Sequence, residues 1–356
     1  MPIPNPQCDD LPTRPAASGR LFLWFPIGLA MRKVRRYLRD TDRVFGTSST
    51  GALVIDGQAG YPDELIVDIT DLLTPDEAAD TRCLFKVGNE DLDVEDIPNV
   101  RTVAQLQRLR ESGWLVDMLR TNRLTSVFQP IVHAQETSRV LGHEMFLRGI
   151  DRSGRTVSPG ALFDAARGCG IVSELDSAAR RTAIRSAASR SERRPLFVNV
   201  TPDAIGDASR AMESTITAVD AAGIPRERVV FEVIEAERAA DVRQLRTVLD
   251  SFRTAGFRVA LDNIGCADSS LSLIRHLRPD YVKVDMEQLR GGHAAASESR
   301  GAERIFDLAN RLRIQTIAEA VETGEELEWN QERGATFVQG YYIARPSAEP
   351  VRGLAA

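Results

Sequence analysis

The chain has 356 residues, enough for about two domains with a substantial core. A net charge of −6 gives no electrostatic footprint for nucleic acid. Four widely spaced cysteines with no CxxC, and four histidines with no helical pair, argue against a disulfide scaffold and a structural zinc site. A bound metal would take oxygen ligands, which points to magnesium, manganese or calcium.

Residues 1–19 are rich in proline and polar groups and read as a flexible tail. The apolar run from Leu21 to Met31 is about half a bilayer span, contains Pro26 and is followed at once by basic residues. It reads as a strand, Leu21 to Phe25, entering a helix, with no membrane span and no signal peptide; the expected location is cytoplasmic.

Residues 20–100 alternate short apolar runs with turns: LFLWF, a helix over AMRKVRRYL, then ALVID, LIVDI and CLFKV. Thr74, Pro75 and the acidic residues after them make a helix start, with Thr74 as N-cap and Pro75 at N1. This is the expectation of a small α/β domain whose role the residues do not reveal. Arg32, Lys33, Arg35 and Arg36 read as a solvated face. Residues 101–124 carry Val103, Leu106, Leu109, Leu115 and Leu119 at helical spacing and read as a linker helix, interrupted by Gly113 and ending near Asn122.

From residue 125 to the end a different rhythm holds. Strand-like runs occur at SVFQPIV, VLGHEMFL, PLFVNV, RVVFEVIE, FRVALDN, YVKVDM, IQTIAEAV and ATFVQGYYI, with helical patterns between most of the later ones. Strands alternating with helices imply parallel βαβ units, and eight of them a closed (β/α)8 barrel of the TIM-like kind, irregular at its start. The runs end alike on polar residues: Glu144; Asn199; Glu232 and Glu235; Asp262 and Asn263; Lys283 and Asp285; Glu319 and Glu322; Gln339. Buried parallel strands should be apolar throughout, with their chemistry where they leave the sheet. In a barrel these ends converge on the C-terminal face, where active sites form. Asp262 and Lys283, 21 residues apart, are one strand–helix–strand step from each other and suit a metal ion and a water beside a phosphate. His143 falls on the opposite strand face from Glu144 and reads as a packed outer residue.

These residues resemble the EAL-domain family, the bacterial cyclic-di-GMP phosphodiesterases, over residues 126 to about 346. FQPIV at 128–132 is similar to the family's opening strand. Glu144-Met145-Phe146-Leu147-Arg148 stands where the family has Glu-Ala-Leu-x-Arg. Asn199-Val200-Thr201 resembles Asn-x-Ser, Glu232-Val233-Ile234-Glu235 resembles Glu-Ile-Thr-Glu, and Lys283-Val284-Asp285 resembles Lys-Ile-Asp. Glu319-Ala320-Val321-Glu322 resembles Glu-Gly-Val-Glu, and Gln339-Gly340-Tyr341 is the family's Gln-Gly-Tyr. The resemblance implies Mg2+ or Mn2+ at two sites. Glu144, Asn199, Glu232 and Asp262 would hold the first ion; Asp262, Asn263 and Glu319 the second. Lys283 and Glu319 would be catalytic, with Lys283 positioning or deprotonating the water. Gln129, Arg148 and Gln339 would contact the nucleotide or order the site. Glu235, Asp285 and Glu322 would support the loops. The product would be pGpG.

The departures gather at one place. Asn263 stands for the family's second aspartate, so the cage loses a negative charge near the second ion. Gly265-Cys266-Ala267-Asp268-Ser269-Ser270-Leu271 replaces Gly-x-Gly-Tyr-Ser-Ser-Leu, and Ala320 replaces a glycine. The expectation is an EAL-type barrel behind a small α/β domain, forming a homodimer. It would bind cyclic-di-GMP with hydrolysis weak or lost and pass occupancy to the N-terminal domain or to an unidentified protein partner. An active phosphodiesterase is the alternative, and a nucleotide-independent interaction module a third.

Overall fold

The structure, a computed structural model, describes residues 18–57, 61–201, 208–234, 242–265, 268–287 and 295–353. The chain divides into two compact units, Met1–Asn122 with Gly160–Glu174, and Arg123–Pro159 with Leu175–Ala356. Among the described residues no helix is long and apolar enough to cross a membrane.

The N-terminal unit is built on an antiparallel sheet. Its strands are β1 (Gly19–Trp24), β2 (Phe45–Thr47), β3 (Leu53–Gly57), β4 (Arg82–Val87) and β5 (Arg101–Thr102), in the order β2-β3-β1-β4-β5. Alternation along β1 sends Leu21 and Leu23 to one face and Phe22 to the other, where it meets Ala52 and Leu84. On the first face lie α1 (Gly28–Asp40) and α2 (Tyr61–Leu72). Helix α1 buries Ala30, Val34 and Leu38, which are spaced by four. The apolar run Leu21–Met31 is therefore a strand and a helix start. Of the other short runs, ALVID and CLFKV supply β3 and β4, but LIVDI lies inside α2. There Leu65, Ile66 and Ile69 share one face of a helix turn and pack into the core beside α1. Helix α3 (Pro75–Asp80) starts as its sequence predicts. The Thr74 hydroxyl accepts from Glu77 N at 3.2 Å, and the Glu77 carboxylate accepts from Thr74 N at 2.8 Å.

The span read as one linker helix is two, α4 (Val103–Glu111) and α5 (Gly113–Arg120), broken at Ser112. Val103 belongs to the core of the N-terminal unit, and Asn122, at φ 53°, turns the chain out of α5. Helix α6 (Pro159–Cys169) also falls in this unit, and Arg101 donates to the carbonyl of Gly170 just beyond it at 2.9 Å.

The second unit is a closed eight-stranded barrel. Its strands are β6 (Leu124–His133), β7 (Val140–Ile150), β9 (Leu196–Val200), β10 (Val229–Val233), β11 (Arg258–Ile264), β12 (Tyr281–Asp285), β13 (Gln315–Glu319) and β14 (Phe337–Val338). The short β8 (Thr156–Val157) only extends the edge of β7. Strand β6 pairs antiparallel with both β7 and β14, and every other pairing around the ring is parallel. The expected irregular start is this reversed first strand. Around the ring stand α7 (Val172–Ser189), α8 (Ala208–Ala221), α9 (Val242–Thr254), α10 (Asp268–Leu277), α11 (Ala295–Leu312) and α12 (Gly324–Glu332). The eight strand-like runs of the sequence are the eight barrel strands.

Alternation sorts each strand's residues between two cores. Outward residues pack on helices: Phe231 stacks on Phe252 of α9 at 4.4 Å and meets Phe257 edge-on at 4.9 Å. Inward residues form a plug with one member from each strand: Ile131, Leu141, Phe197, Val230, Ala260, Tyr281, Ile317 and Phe337. Phe231→Ala is expected to lower the stability of the barrel by about 3–5 kcal/mol, read from the midpoint of denaturant unfolding.

Candidate active site

The polar site is the next layer above that plug. A strand repeats its facing every two residues. Two positions beyond the plug stand Asn199 on β9, Glu232 on β10, Asp262 on β11, Lys283 on β12, Glu319 on β13 and Gln339 just after β14. On the reversed β6 the count runs backward, from Ile131 to Gln129. On β7 Glu144 pairs directly with Gln129. All eight strands thus place one polar residue at the C-terminal face, and Gln129, Glu144, Glu232, Asp262, Lys283 and Gln339 are buried there.

Lys283 is the centre of the layer. Its ammonium, fully buried, lies 2.8 Å from Glu144 Oε2, 2.9 Å from Glu232 Oε1, 3.4 Å from Asp262 Oδ1 and 2.5 Å from Glu319 Oε1. Burial alone would strip its proton, but the carboxylates, Asp262 and Glu144 foremost, overcome this and raise it well above the usual lysine range. Lys283 is therefore firmly protonated as the site stands. Glu144 also keeps its charge. Burial pushes it up, but the Lys283 charge outweighs that, together with hydrogen bonds from Lys283, Asn199 and Gln339. Glu232 and Glu319 are driven the other way, well above the carboxylate range. Burial leads in both, followed by the repulsion of Glu144 on the first and of Asp262 on the second.

Amides brace this charge. Asn199 Nδ2 donates to Glu144 Oε1 at 3.0 Å, and Gln339 Nε2 donates to Glu144 Oε2 at 2.8 Å and to Gln129 Oε1 at 3.2 Å. Gln129 Nε2 in turn donates to Ala344 O at 3.1 Å. Gln339 reaches Glu144 because Gly340 lets two backbones meet: a Cβ at Gly340 would lie 2.0 Å from Val321 O.

The donor set has the chemistry of a divalent-cation site. Both carboxylate oxygens of Glu232 and Oδ1 of Asp262 are buried with no directed hydrogen bond among the described residues. A lysine has three N–H donors, and four carboxylates surround this one. Hard, under-satisfied oxygens suit magnesium or manganese. Yet among the described residues no three His, Cys, Asp or Glu groups are arranged to hold an ion as the side chains stand. The ammonium takes the middle, so its displacement or a turn of the carboxylates has to accompany cation binding. Glu144, Asn199, Glu232 and Asp262 each bring a side-chain oxygen to this layer.

Asn263 sits differently. The pairing of β11 with β12 shifts register between Leu261 and Ile264, and Asn263 within this bulge is exposed at φ 52°. Its Nδ2 donates to Asp262 Oδ2 at 3.3 Å, so it spends a donor on the carboxylate where an aspartate would add charge. Ala320 beside Glu319 is also left-handed, at φ 54°, a conformation natural to glycine and strained for alanine.

Other expected residues lie apart from the cluster. Arg148 Nη1 donates to Leu147 O at 2.8 Å, and Asp285 Oδ1 accepts from Glu287 N at 2.8 Å. Glu322 is exposed, its N–H donating to the Glu326 carboxylate at 2.6 Å. Glu235, Cys266 and Ala267 lie outside the described residues. His143 is an outer residue, fully buried, with Nε2 3.0 Å from Val351 O. Sequence reading missed Asp176 and Arg180 of α7. They form a buried ion pair, and Asp176 Oδ1 accepts from Thr201 N at 3.2 Å, two residues beyond Asn199. Their spacing of four on a helix is a signal that ordinary surface pairs share, which hides it.

Two substitutions test this geometry. Ala320→Gly should relieve left-handed strain and raise the melting temperature by about 2–4 °C. Lys283→Met should destabilise the cation-free protein by about 3–5 kcal/mol in denaturant unfolding, since it leaves buried carboxylates without their counter-charge.

Comparison with known proteins agrees with this architecture. Residues 106–346 match the family model described as EAL domain. A probable cyclic di-GMP phosphodiesterase of Escherichia coli, PdeN, is 27% identical over 247 residues, 67% of this chain and 46% of that protein. The cyclic di-GMP phosphodiesterase NbdA of Pseudomonas aeruginosa is 28% identical over 69% of this chain and 31% of its own length. The chain thus spans less than half the length of these curated relatives. Among solved structures, a standalone EAL protein from Vibrio cholerae in its c-di-GMP-bound form superposes with a TM-score of 0.56 at 28% identity, covering 65% of this chain and 95% of that one. The Bacillus subtilis YkuI protein, in complex with c-di-GMP and calcium, does so with a TM-score of 0.56 at 25% identity, covering 67% and 60%. With its barrel, its strand-end residues and the family match over most of its length, this chain belongs to the EAL domain family.

Proposed function

We propose that the protein binds cyclic-di-GMP at the C-terminal face of its barrel and hydrolyses it to pGpG slowly or not at all, so that it works as a receptor. The observation that carries binding is the convergence of Gln129, Glu144, Asn199, Glu232, Asp262, Lys283, Glu319 and Gln339, one from each barrel strand or its end, in one layer. The c-di-GMP-bound relatives from Vibrio cholerae and Bacillus subtilis support the same ligand.

In this reading Glu144, Asn199, Glu232 and Asp262 hold one Mg2+ or Mn2+, and Asp262, Asn263 and Glu319 hold a second more weakly. Such ions would supply neutralisation of the phosphodiester and a more acidic water. The chain's own groups do the rest. Lys283 keeps a proton at Nζ and presents N–H donors to a water or a phosphate oxygen. Gln339 Oε1, buried without a partner among the described residues, is an acceptor for a nucleobase N–H. Arg148 contributes a guanidinium to the nucleotide. Slow hydrolysis follows from Asn263, which removes one negative charge from the second ion's ligands; charges this close interact by several kcal/mol even at moderate effective dielectric. A receptor needs an output, and a second copy of this chain or a protein partner would read occupancy.

Purified protein with cyclic-di-GMP and manganese tests this. Calorimetry should detect binding, while chromatography should find pGpG forming at least tenfold slower than the about 1 s⁻¹ that marks the slow end of ordinary enzymes. Asn263→Asp should raise that rate at least tenfold. Wild-type turnover above about 1 s⁻¹ would make the protein an active phosphodiesterase. No binding heat would leave only an interaction module.

A further inference from the structure

At the opposite end of the barrel, where β11, β12 and β13 begin, the surface is hollowed into a cleft of about 450 Å3. That is the size of a site for a small organic ligand. It is lined by Arg258, Arg278 and Arg313, with Asp280, Tyr281 and Gln315 between them. Three guanidinium groups face one carboxylate, a net formal charge of +2. No ion pair neutralises it: none of the three arginines has a carboxylate within 4 Å among the described residues.

The guanidinium groups are mostly unspent. Arg258 Nη1 donates to the Tyr281 hydroxyl at 3.2 Å, and Arg278 Nε to Arg275 O at 3.3 Å. The Arg313 side chain has no hydrogen-bond partner among the described residues. Arg278 Nε thus caps one last-turn carbonyl of α10, while Arg253 Nη2 donates to Leu277 O at 2.8 Å and to Arg278 O at 2.7 Å, which leaves the two Nη groups of Arg278 over.

The backbone adds a second, independent observation. The outer helices α7 to α12 are each followed by a left-handed residue: Gly223 after α8, Gly256 after α9 and Gly334 after α12, which this conformation favours, and Ser191, at φ 53°, after α7. After α10 and α11 it is Arg278, at φ 47°, and Arg313, at φ 58°. At these two neighbouring units the strained side chain is a long cationic one, and both line one cleft.

We propose that this cleft binds a small phosphate-bearing anion, independently of the nucleotide site at the other face. Guanidinium groups are planar forks that match phosphate oxygens, and the exposed Gln315 adds a neutral partner. The cleft is open to solvent and has room for a second phosphate or an organic body beside the first phosphate.

Calorimetry on the full chain with inorganic pyrophosphate and, separately, adenosine 5′-monophosphate tests this. Saturable binding near one per chain is expected for at least one probe, weakening as ionic strength rises. Tighter binding of pyrophosphate identifies the polyphosphate source, and tighter binding of the nucleotide the organic one. Arg278→Gly and Arg313→Gly should each weaken binding at least tenfold. Both should leave the melting temperature unchanged or raise it by about 2–4 °C, because glycine suits the left-handed position. The proposal is overturned by the absence of saturable binding for both probes, or by binding unchanged in the double variant. It is equally overturned if that variant melts several degrees lower, which would assign the arginines to the fold.

Discussion

One buried ammonium holds the business end of this barrel together. Lys283 on β12 stands within ion-pair distance of carboxylates from β7, β10, β11 and β13, so a single cation links five of the eight strands. Below it lies an apolar layer of one residue per strand, which keeps water out and strengthens each interaction above. Bringing these charges out of water is costly, and their mutual attraction only partly offsets it. The balance shows in the directions of the shifts. Lys283 and Glu144 are held in their charged forms, while Glu232 and Glu319 are driven towards the neutral form. The site carries more carboxylates than its own cation can satisfy.

The departures from the family pattern flank that lysine on both sides. Asn263 is the last but one residue of β11 and Ala320 follows β13, the two neighbours of β12, and both residues are left-handed. Asparagine tolerates this conformation and alanine does not, so one change alters charge and the other stores strain. Both act on the same small volume, where Asp262 and Glu319 meet Lys283.

Much of this was legible in the residues. The eight strand-like runs are the eight strands, and the polar residues at their ends form one layer because strand facing repeats every two positions. Local patterns failed where tertiary context chose between equal alternatives. LIVDI is as good a strand as a helix by composition, and its place beside α1 made it a helix. The linker pattern continues across Ser112 and Gly113, but the helix does not. Arg148, Asp285 and Glu322 share the strand-end motifs without joining the cluster. A motif records order along the chain, while membership in a buried cluster also depends on height: Arg148 and Asp285 share the facing of Glu144 and Lys283 but stand four and two residues further along their strands.

The sequence by itself determined the barrel, its direction and the chemical types gathered at one face, because periodicity and strand-end polarity are local properties written in consecutive residues. Only the tertiary structure decided that Lys283 stands at the centre of four carboxylates, that Asn263 turns out on a bulge, and that Arg258, Arg278 and Arg313 share a cleft. Those facts depend on the stagger of neighbouring strands and on backbone conformation at single residues, and electrostatic interaction between side chains falls with distance in space, whatever their separation in sequence.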